Sequence, residues 1–136
     1  MEFHMSSSTK ILLVNSDRDL SKALIYQLSL NDKFHIIESG EDNVFTQINN
    51  NSFKIVIINS QPSKLNGHNI AKKLRTDGYK NPIIMLITHS DASNVDNNLS
   101  IEANEYITKP FKYPELLKFI KLHLRQIGRA SCRERV

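Results

Sequence analysis

The chain has 136 residues, of which 40% are hydrophobic and 24% charged, and its formal net charge is +4. This length and composition indicate one soluble globular domain with a core of its own. The sequence has no apolar run long enough to span a membrane and no charged-then-apolar start typical of a secretory signal. The tightest basic cluster, at Lys72, Lys73 and Arg75, falls on a helix pattern and is interpreted as a solvated face, so no direct nucleic-acid contact is expected.

Both ends of the chain are predicted to come from an expression vector. Residues 1–5 carry a second methionine, and residues 128–136 have no apolar pattern of their own. We therefore place the folded domain at 9–127, between a disordered, vector-derived N-terminus at 1–8 and a vector-derived tail. The only cysteine, Cys132, lies in that tail, so the domain is expected to lack disulfide and thiol chemistry, as suits a cytoplasmic protein.

Strand and helix patterns alternate along the domain. Short apolar or β-branched runs predict strands, and apolar residues at helical spacing between them predict helices. The segment 90–104 is rich in Asn, Asp and Ser, and we interpret it as a marginal helix. The strands are predicted at 10–14, 34–37, 53–58, 83–88 and 105–108, and the clearest helices follow Asn15, Gly67 and Pro114.

The order of these elements is strand–helix repeated five times, which predicts an α/β domain with a parallel sheet covered by helices on both faces. Five repeats in this length favour the flavodoxin-like (βα)5 doubly wound fold with strand order 2-1-3-4-5. In such sheets ligands bind beyond the carboxyl ends of the strands. The polar residues at those ends are Asn15, Asn59, Thr88 and Lys109.

Residues 9–127 resemble the receiver domain of bacterial two-component response regulators. The resemblance depends on several motifs at matching spacings, of which an aromatic residue three positions before Lys-Pro is the most specific. These motifs are the run 10–14, Gly40 after the second strand, Gly67 eight residues after Asn59, the strand beginning at Pro82, and the segment 106–111.

The resemblance implies a role for each position at the strand ends. In typical receivers the third strand ends in the aspartate that accepts a phosphoryl group, and this chain has Asn59 there. Two acidic residues after the first strand hold Mg²⁺ in the family, and here they are Asn15 and Ser16. Asp17 matches a third acidic residue that often follows.

The remaining switch positions of the family are only partly kept. Lys109 and Pro110 match the Lys-Pro pair, and Tyr106 matches the aromatic switch residue. Counting back from Lys109 puts Ile87 where the family has Thr or Ser, whereas a shift of one residue puts Thr88 there. Without a phosphoryl trigger, we expect Tyr106 to keep one rotamer.

The chemistry of aspartyl phosphorylation requires a carboxylate nucleophile and a cation that offsets the charge on the transferred group. An amide oxygen is a poor nucleophile, and Mg²⁺ usually takes one or two carboxylates. We therefore predict that the phosphorylation site is dismantled at Asn59, with no catalytic residue, no metal and no cofactor. Lys109 is expected to donate to the Asn59 side-chain oxygen, and Asp17 to supply a counter-charge.

Three functions remain open from the sequence. The first is a non-enzymatic, phosphorylation-independent receiver-like module that controls an effector domain through a protein partner or a homodimer. Its contact face would comprise the predicted fourth helix, fifth strand and fifth helix. The second is a degenerate receiver that is still phosphorylated. The third, a flavodoxin-like small-molecule binder, is disfavoured because residues 15–19 contain no glycine.

Other residues are not expected to replace the phosphorylation site. Ser60 and Thr88 lack a neighbour that would activate them as phosphoacceptors. The histidines, His68 and His123 included, do not have the spacing of metal ligands.

Overall fold

The computed structural model describes residues 9–15, 18–30, 34–60, 67–88 and 103–135, with side chains outside 18–21 and 126–135. These residues form five strands and four helices in alternating order. The elements are β1 (Thr9–Val14), α1 (Arg18–Ser29), β2 (Phe34–Ser39), α2 (Val44–Asn50), β3 (Ile55–Asn59), α3 (Gly67–Thr76), β4 (Ile83–Ile87), β5 (Glu105–Thr108) and α4 (Tyr113–Arg135).

The five strands form one parallel sheet in the order β2-β1-β3-β4-β5, which confirms the predicted doubly wound fold. The two central strands β3 and β4 consist of the segments IVIIN and IIMLI, and every residue in them is buried. A strand covered on both faces is apolar throughout because its side chains alternate between two cores. This explains why these two strands read as continuous apolar runs.

Each face of the sheet has its own hydrophobic core. On one face Val56, Ile58 and Met85 pack against buried residues of α2 and α3. On the other face Ile57 and Leu86 pack against buried leucine and isoleucine side chains of α1 and α4. The strands are thereby held between two helical layers, and their carboxyl ends meet at one edge of the sheet.

The C-terminal helix α4 differs from its predicted extent. The apolar pattern ends at residue 127, but the helix continues through 128–135. Alanine, glutamate and arginine favour helix, so this segment can extend an existing helix without an apolar face. Its vector origin stays a prediction. The predicted helix at 90–104 lies largely outside the described residues, as does the N-terminal segment 1–8.

Among the described residues, no helix has both the length and the apolar content needed to cross a membrane.

Candidate functional site

The carboxyl edge of the sheet brings three of the sequence-predicted polar residues together. Asn15 directly follows β1, Asn59 ends β3, and Lys109 directly follows β5. Asn59 is fully buried and Asn15 is 5% exposed. Because buried amides must find hydrogen-bond partners, these two side chains require defined neighbours at this edge. Ser16 and Asp17, predicted to lie beside them, are outside the described residues.

The three side chains form a continuous chain of hydrogen bonds. The Lys109 Nζ donates to Asn59 Oδ1 at 2.6 Å, which is the contact predicted from the sequence. Asn59 Nδ2 in turn donates to Asn15 Oδ1, also at 2.6 Å. Since an ammonium group can only donate, Lys109 fixes the orientation of the Asn59 amide, with its oxygen toward the lysine and its nitrogen toward Asn15.

Ser60 links this chain of hydrogen bonds to the start of α3. Its carbonyl accepts a second hydrogen bond from Lys109 Nζ at 3.1 Å, and its buried hydroxyl accepts from the Gly67 N–H at 3.1 Å. A Cβ at Gly67 would lie 2.8 Å from Ser60 Cβ and 3.0 Å from Ile58 Cγ2. Glycine at 67 is therefore required for this close approach of α3 to the end of β3.

The two candidates for the hydroxyl position lie in different surroundings. Ile87 ends β4, is 1% exposed and packs in the core on the α2 and α3 side. Thr88 follows it and is half-buried. An isoleucine side chain has no hydrogen-bonding group, so Ile87 cannot contact an anion as a hydroxyl would.

Tyr106 lies on β5 and stacks on a histidine, a contact that the sequence analysis did not predict. Its ring centroid is 6.0 Å from that of His68 in the first turn of α3, with an interplanar angle of 29°. Tyr106 is half-buried and also packs against the core that includes Ile87. The predicted single rotamer of Tyr106 stays a prediction, and His68 is the neighbour that would hold it.

His123 also has a partner that the sequence analysis missed. The side chain is 6% exposed, and its Nε2 lies 2.9 Å from Glu105 Oε2, which joins α4 to β5. The sequence does indicate that His123 is buried, because it follows Leu116 and Ile120 at helical spacing, and both of these residues are buried on α4.

The basic cluster on α3 is exposed at Lys72 and Lys73, as its composition predicts, and half-buried at Arg75. Arg75 is half-buried and its guanidinium donates to the carbonyls of Tyr79 and Asn81, both at 2.8 Å. The Lys73 ammonium lies 4.6 Å above the Phe45 ring centroid. Arg75 therefore contributes to packing, whereas Lys72 and Lys73 lie at the surface, where Lys73 also contacts the face of Phe45.

The described residues at this edge do not fit a Mg²⁺ ion. The side-chain oxygens of Asn15 and Asn59 are neutral and each already accepts a hydrogen bond, one of them from the Lys109 ammonium. Within the described ranges, no group of three His, Cys, Asp or Glu side chains is placed to hold a metal. A divalent cation beside Asn59 would be repelled by the Lys109 ammonium and would find an amide instead of a carboxylate at residues 15 and 59.

The fold and the residues at the strand ends define a doubly wound α/β domain with a lysine and two amides where such folds bind ligands. The family model for the response regulator receiver domain matches residues 11–121. The chain belongs to the response regulator receiver domain family.

The chain is similar to proteins that are named as regulatory proteins. The chain is 31% identical over 120 residues to the transcriptional regulatory protein DltR of Streptococcus agalactiae serotype III, covering 86% of this chain and 52% of that protein. It is 29% identical over 130 residues to the regulatory protein VanRB of Enterococcus faecalis, covering 95% of this chain and 58% of the relative. The chain thus spans a little over half the length of these relatives.

Two solved structures show the same fold. A CheY-like response regulator receiver domain protein from Methanospirillum hungatei superposes with a TM-score of 0.79 at 20% identity, covering 91% of this chain and 99% of that one. Full-length FixJ from B. japonicum also superposes with a TM-score of 0.79, at 19% identity, covering 92% of this chain and 62% of that structure.

Proposed function

We propose that this domain is a phosphorylation-independent receiver, which regulates an effector domain through protein–protein contact or dimerisation. The observation that carries the proposal is the continuous chain of hydrogen bonds from Lys109 through Asn59 to Asn15. Both polar atoms of the buried Asn59 amide are engaged, one with an ammonium and one with a second amide.

The chemistry of these groups supports the proposal. A phosphoacceptor must present an oxygen that attacks phosphorus, and it must leave the transferred group stably attached. The Asn59 oxygen belongs to a neutral amide and already accepts a short hydrogen bond from Lys109. The charge that receivers use to attract Mg²⁺ is absent from Asn15 and Asn59, so the phosphoryl donor would lack its metal partner here.

The hydrogen bonds of the metal-free domain also support the proposal. Clustered carboxylates repel one another, and this repulsion raises the free energy of the metal-free form. Amides at 15 and 59 hydrogen-bond to each other directly. The edge of the sheet is thereby held in one arrangement without metal or phosphate.

The relatives support an effector-linked role. DltR and VanRB are named as transcriptional regulatory and regulatory proteins, and this chain matches a little over half of each. We extend that arrangement to this domain, with the output carried by a separate effector. The contact face is proposed to include β5 with Glu105 and Tyr106, the C-terminal helix α4, and the segment before β5.

A degenerate but phosphorylatable receiver is the second candidate. The observation that favours it is the presence of Lys109, whose ammonium contacts Asn59 at the carboxyl end of β3 and could offset the charge of a phosphoryl group. In this alternative Ser16 and Asp17 would complete a weak metal site, and an oxygen other than that of Asn59 would accept the phosphoryl group.

The proposal is tested by treating the domain with acetyl phosphate and Mg²⁺ and measuring its intact mass. The expected result is no mass increase from a phosphoryl group. The matched control is the triple variant Asn15→Asp, Ser16→Asp, Asn59→Asp, which restores the acidic residues and should gain one phosphoryl group that hydroxylamine removes. Phosphorylation of the unaltered domain would refute the proposal and favour the degenerate receiver.

A further inference from the structure

The stacked rings of Tyr106 and His68 join β5 to the first turn of α3. Their centroids are 6.0 Å apart and the ring planes make an angle of 29°. Aromatic pairs prefer such offset arrangements, with centroids about 4.5–7 Å apart. Both side chains are half-buried, so part of each ring is covered by the protein. The His68 ring therefore restricts the directions in which the Tyr106 side chain can point.

The sheet determines the face on which Tyr106 lies. Side chains alternate along β5, and Ile107 packs in the core on the α1 and α4 side. Tyr106 faces the other way and packs against the core on the α2 and α3 side, which is where His68 lies. Position 87 in that core is an isoleucine, whose side chain cannot link Tyr106 to the strand ends through a hydrogen bond.

The end of β3 fixes the position of His68. The residue before it, Gly67, donates its N–H to the buried Ser60 hydroxyl at 3.1 Å. The first amides of a helix have no partners within the helix, so this bond attaches the start of α3 to Ser60. The Ser60 carbonyl also accepts from Lys109, which donates to Asn59 as well. The first turn of α3 is thereby held in place relative to the polar residues at the strand ends.

We propose that His68 is a positioning residue that holds Tyr106 in one rotamer, and that Ser60 acts through His68 by fixing the start of α3. The inference rests on the proposed function, because a receiver that no phosphoryl group controls needs a contact face that keeps one form. Tyr106 belongs to the proposed contact face, so the stack with His68 keeps that part of the surface unchanged. The route from Asn59 to Tyr106 passes through Ser60, Gly67 and His68.

The test measures the χ1 rotamers of Tyr106 by NMR in the metal-free domain. The observables are the three-bond couplings of the Tyr106 Cγ to its backbone nitrogen and carbonyl carbon, and they should show one dominant rotamer. His68→Ala removes the stacked ring and should lower the ratio of the major rotamer to the others about fivefold, as expected from the usual strength of an aromatic pair. His68→Phe keeps a flat ring and should preserve the dominant rotamer.

Three further variants test the role of Ser60 and the specificity of the effect. Ser60→Ala removes the acceptor of the Gly67 N–H and should also lower the rotamer ratio, but by less than His68→Ala. The double variant should match His68→Ala alone, because Ser60 acts through the His68 ring. The control is His35→Ala, which removes an exposed histidine from β2 at the opposite edge of the sheet and should leave Tyr106 unchanged.

A dominant rotamer of Tyr106 that persists in His68→Ala would overturn the proposal, as would several rotamers in the unaltered domain. An equal loss in His68→Phe and His68→Ala would show that stacking does not hold Tyr106. Additive effects of Ser60→Ala and His68→Ala would remove Ser60 from the route. These couplings are measured without Mg²⁺ or a phosphoryl donor, so the inference and the proposed function, which is tested with acetyl phosphate, can fail separately.

Discussion

The contact between Lys109 and Asn59 makes a quantitative prediction that a double-mutant cycle can measure. The two single variants are Lys109→Met and Asn59→Leu, which keep similar side-chain volumes and remove the polar groups. Each single variant should destabilise the domain, because each leaves a partner of the hydrogen bond behind. The double variant should cost less than the sum of the two, since neither partner is then left.

The size of the coupling follows from the geometry. The bond joins a charged donor to an amide oxygen at 2.6 Å, and its acceptor is fully buried while the lysine is half-buried. Hydrogen bonds to charged groups contribute about 1.5–3 kcal/mol, and partial exposure of the donor places this one near the lower value. We expect a coupling free energy of about 1.5 kcal/mol. Asn59→Leu alone should cost about 3 kcal/mol, because the bond to Asn15 is lost as well.

The assay is urea unfolding of the four proteins, followed by circular dichroism. With a slope of about 1–3 kcal/mol per molar urea for a domain of this size, the coupling corresponds to roughly 0.5–1.5 M in the midpoint. The control pair is Lys109→Met with Lys54→Gln, an exposed residue before β3 at the end of the strand opposite Asn59, which should be additive. Additive effects of the Lys109 and Asn59 substitutions, within about 0.3 kcal/mol, would refute the reasoning.

Three further predictions concern the surrounding structure. Gly67→Ala should destabilise the domain by about 1–3 kcal/mol in urea unfolding, because the added Cβ would lie 2.8 Å from a side-chain atom, whereas Gly40→Ala, with nothing within 4 Å, should cost far less. Burial raises the pKa of Tyr79, so the free energy of unfolding should fall as the pH rises above the ordinary tyrosine pKa of about 10. The variant Tyr79→Phe should weaken this pH dependence. The same pH dependence in the variant and the unaltered domain would contradict the prediction. Glu105→Gln should lower the unfolding free energy by about 1 kcal/mol at neutral pH through its contact with His123; no loss in thermal unfolding would show that this pair does not hold α4.

The fold could be predicted because the strands β3 and β4 have the clearest patterns in the sequence. Residues 55–59 and 83–87 are buried on both faces, so packing and β propensity act in the same direction there. The fifth strand was predicted with its observed bounds at Glu105–Thr108. The end of α4 was not, because a helix that continues beyond its apolar stripe leaves no hydrophobic period to read.

At the site, the Lys109–Asn59 contact could be predicted because parallel strands bring their carboxyl ends together. The bond between Asn59 and Asn15 was missed, since an amide can act as donor or acceptor and spacing does not decide which. The contact of His123 was not predicted because its partner, Glu105, lies on a different element. Such contacts depend on how a helix packs on the sheet, which short-range patterns do not encode.

The central claim is that this receiver does not respond to phosphorylation, and it is tested most directly by amide NMR. The domain is titrated with millimolar Mg²⁺ and then with Mg²⁺ and beryllofluoride, which mimics a phosphoryl group. The account predicts no saturable shifts at Asn15, Asn59 or Lys109, while the variant with Asp at 15, 16 and 59 responds. Saturable shifts in the unaltered domain that extend to Tyr106 would contradict the account, because they would show a pocket that still binds metal and anion.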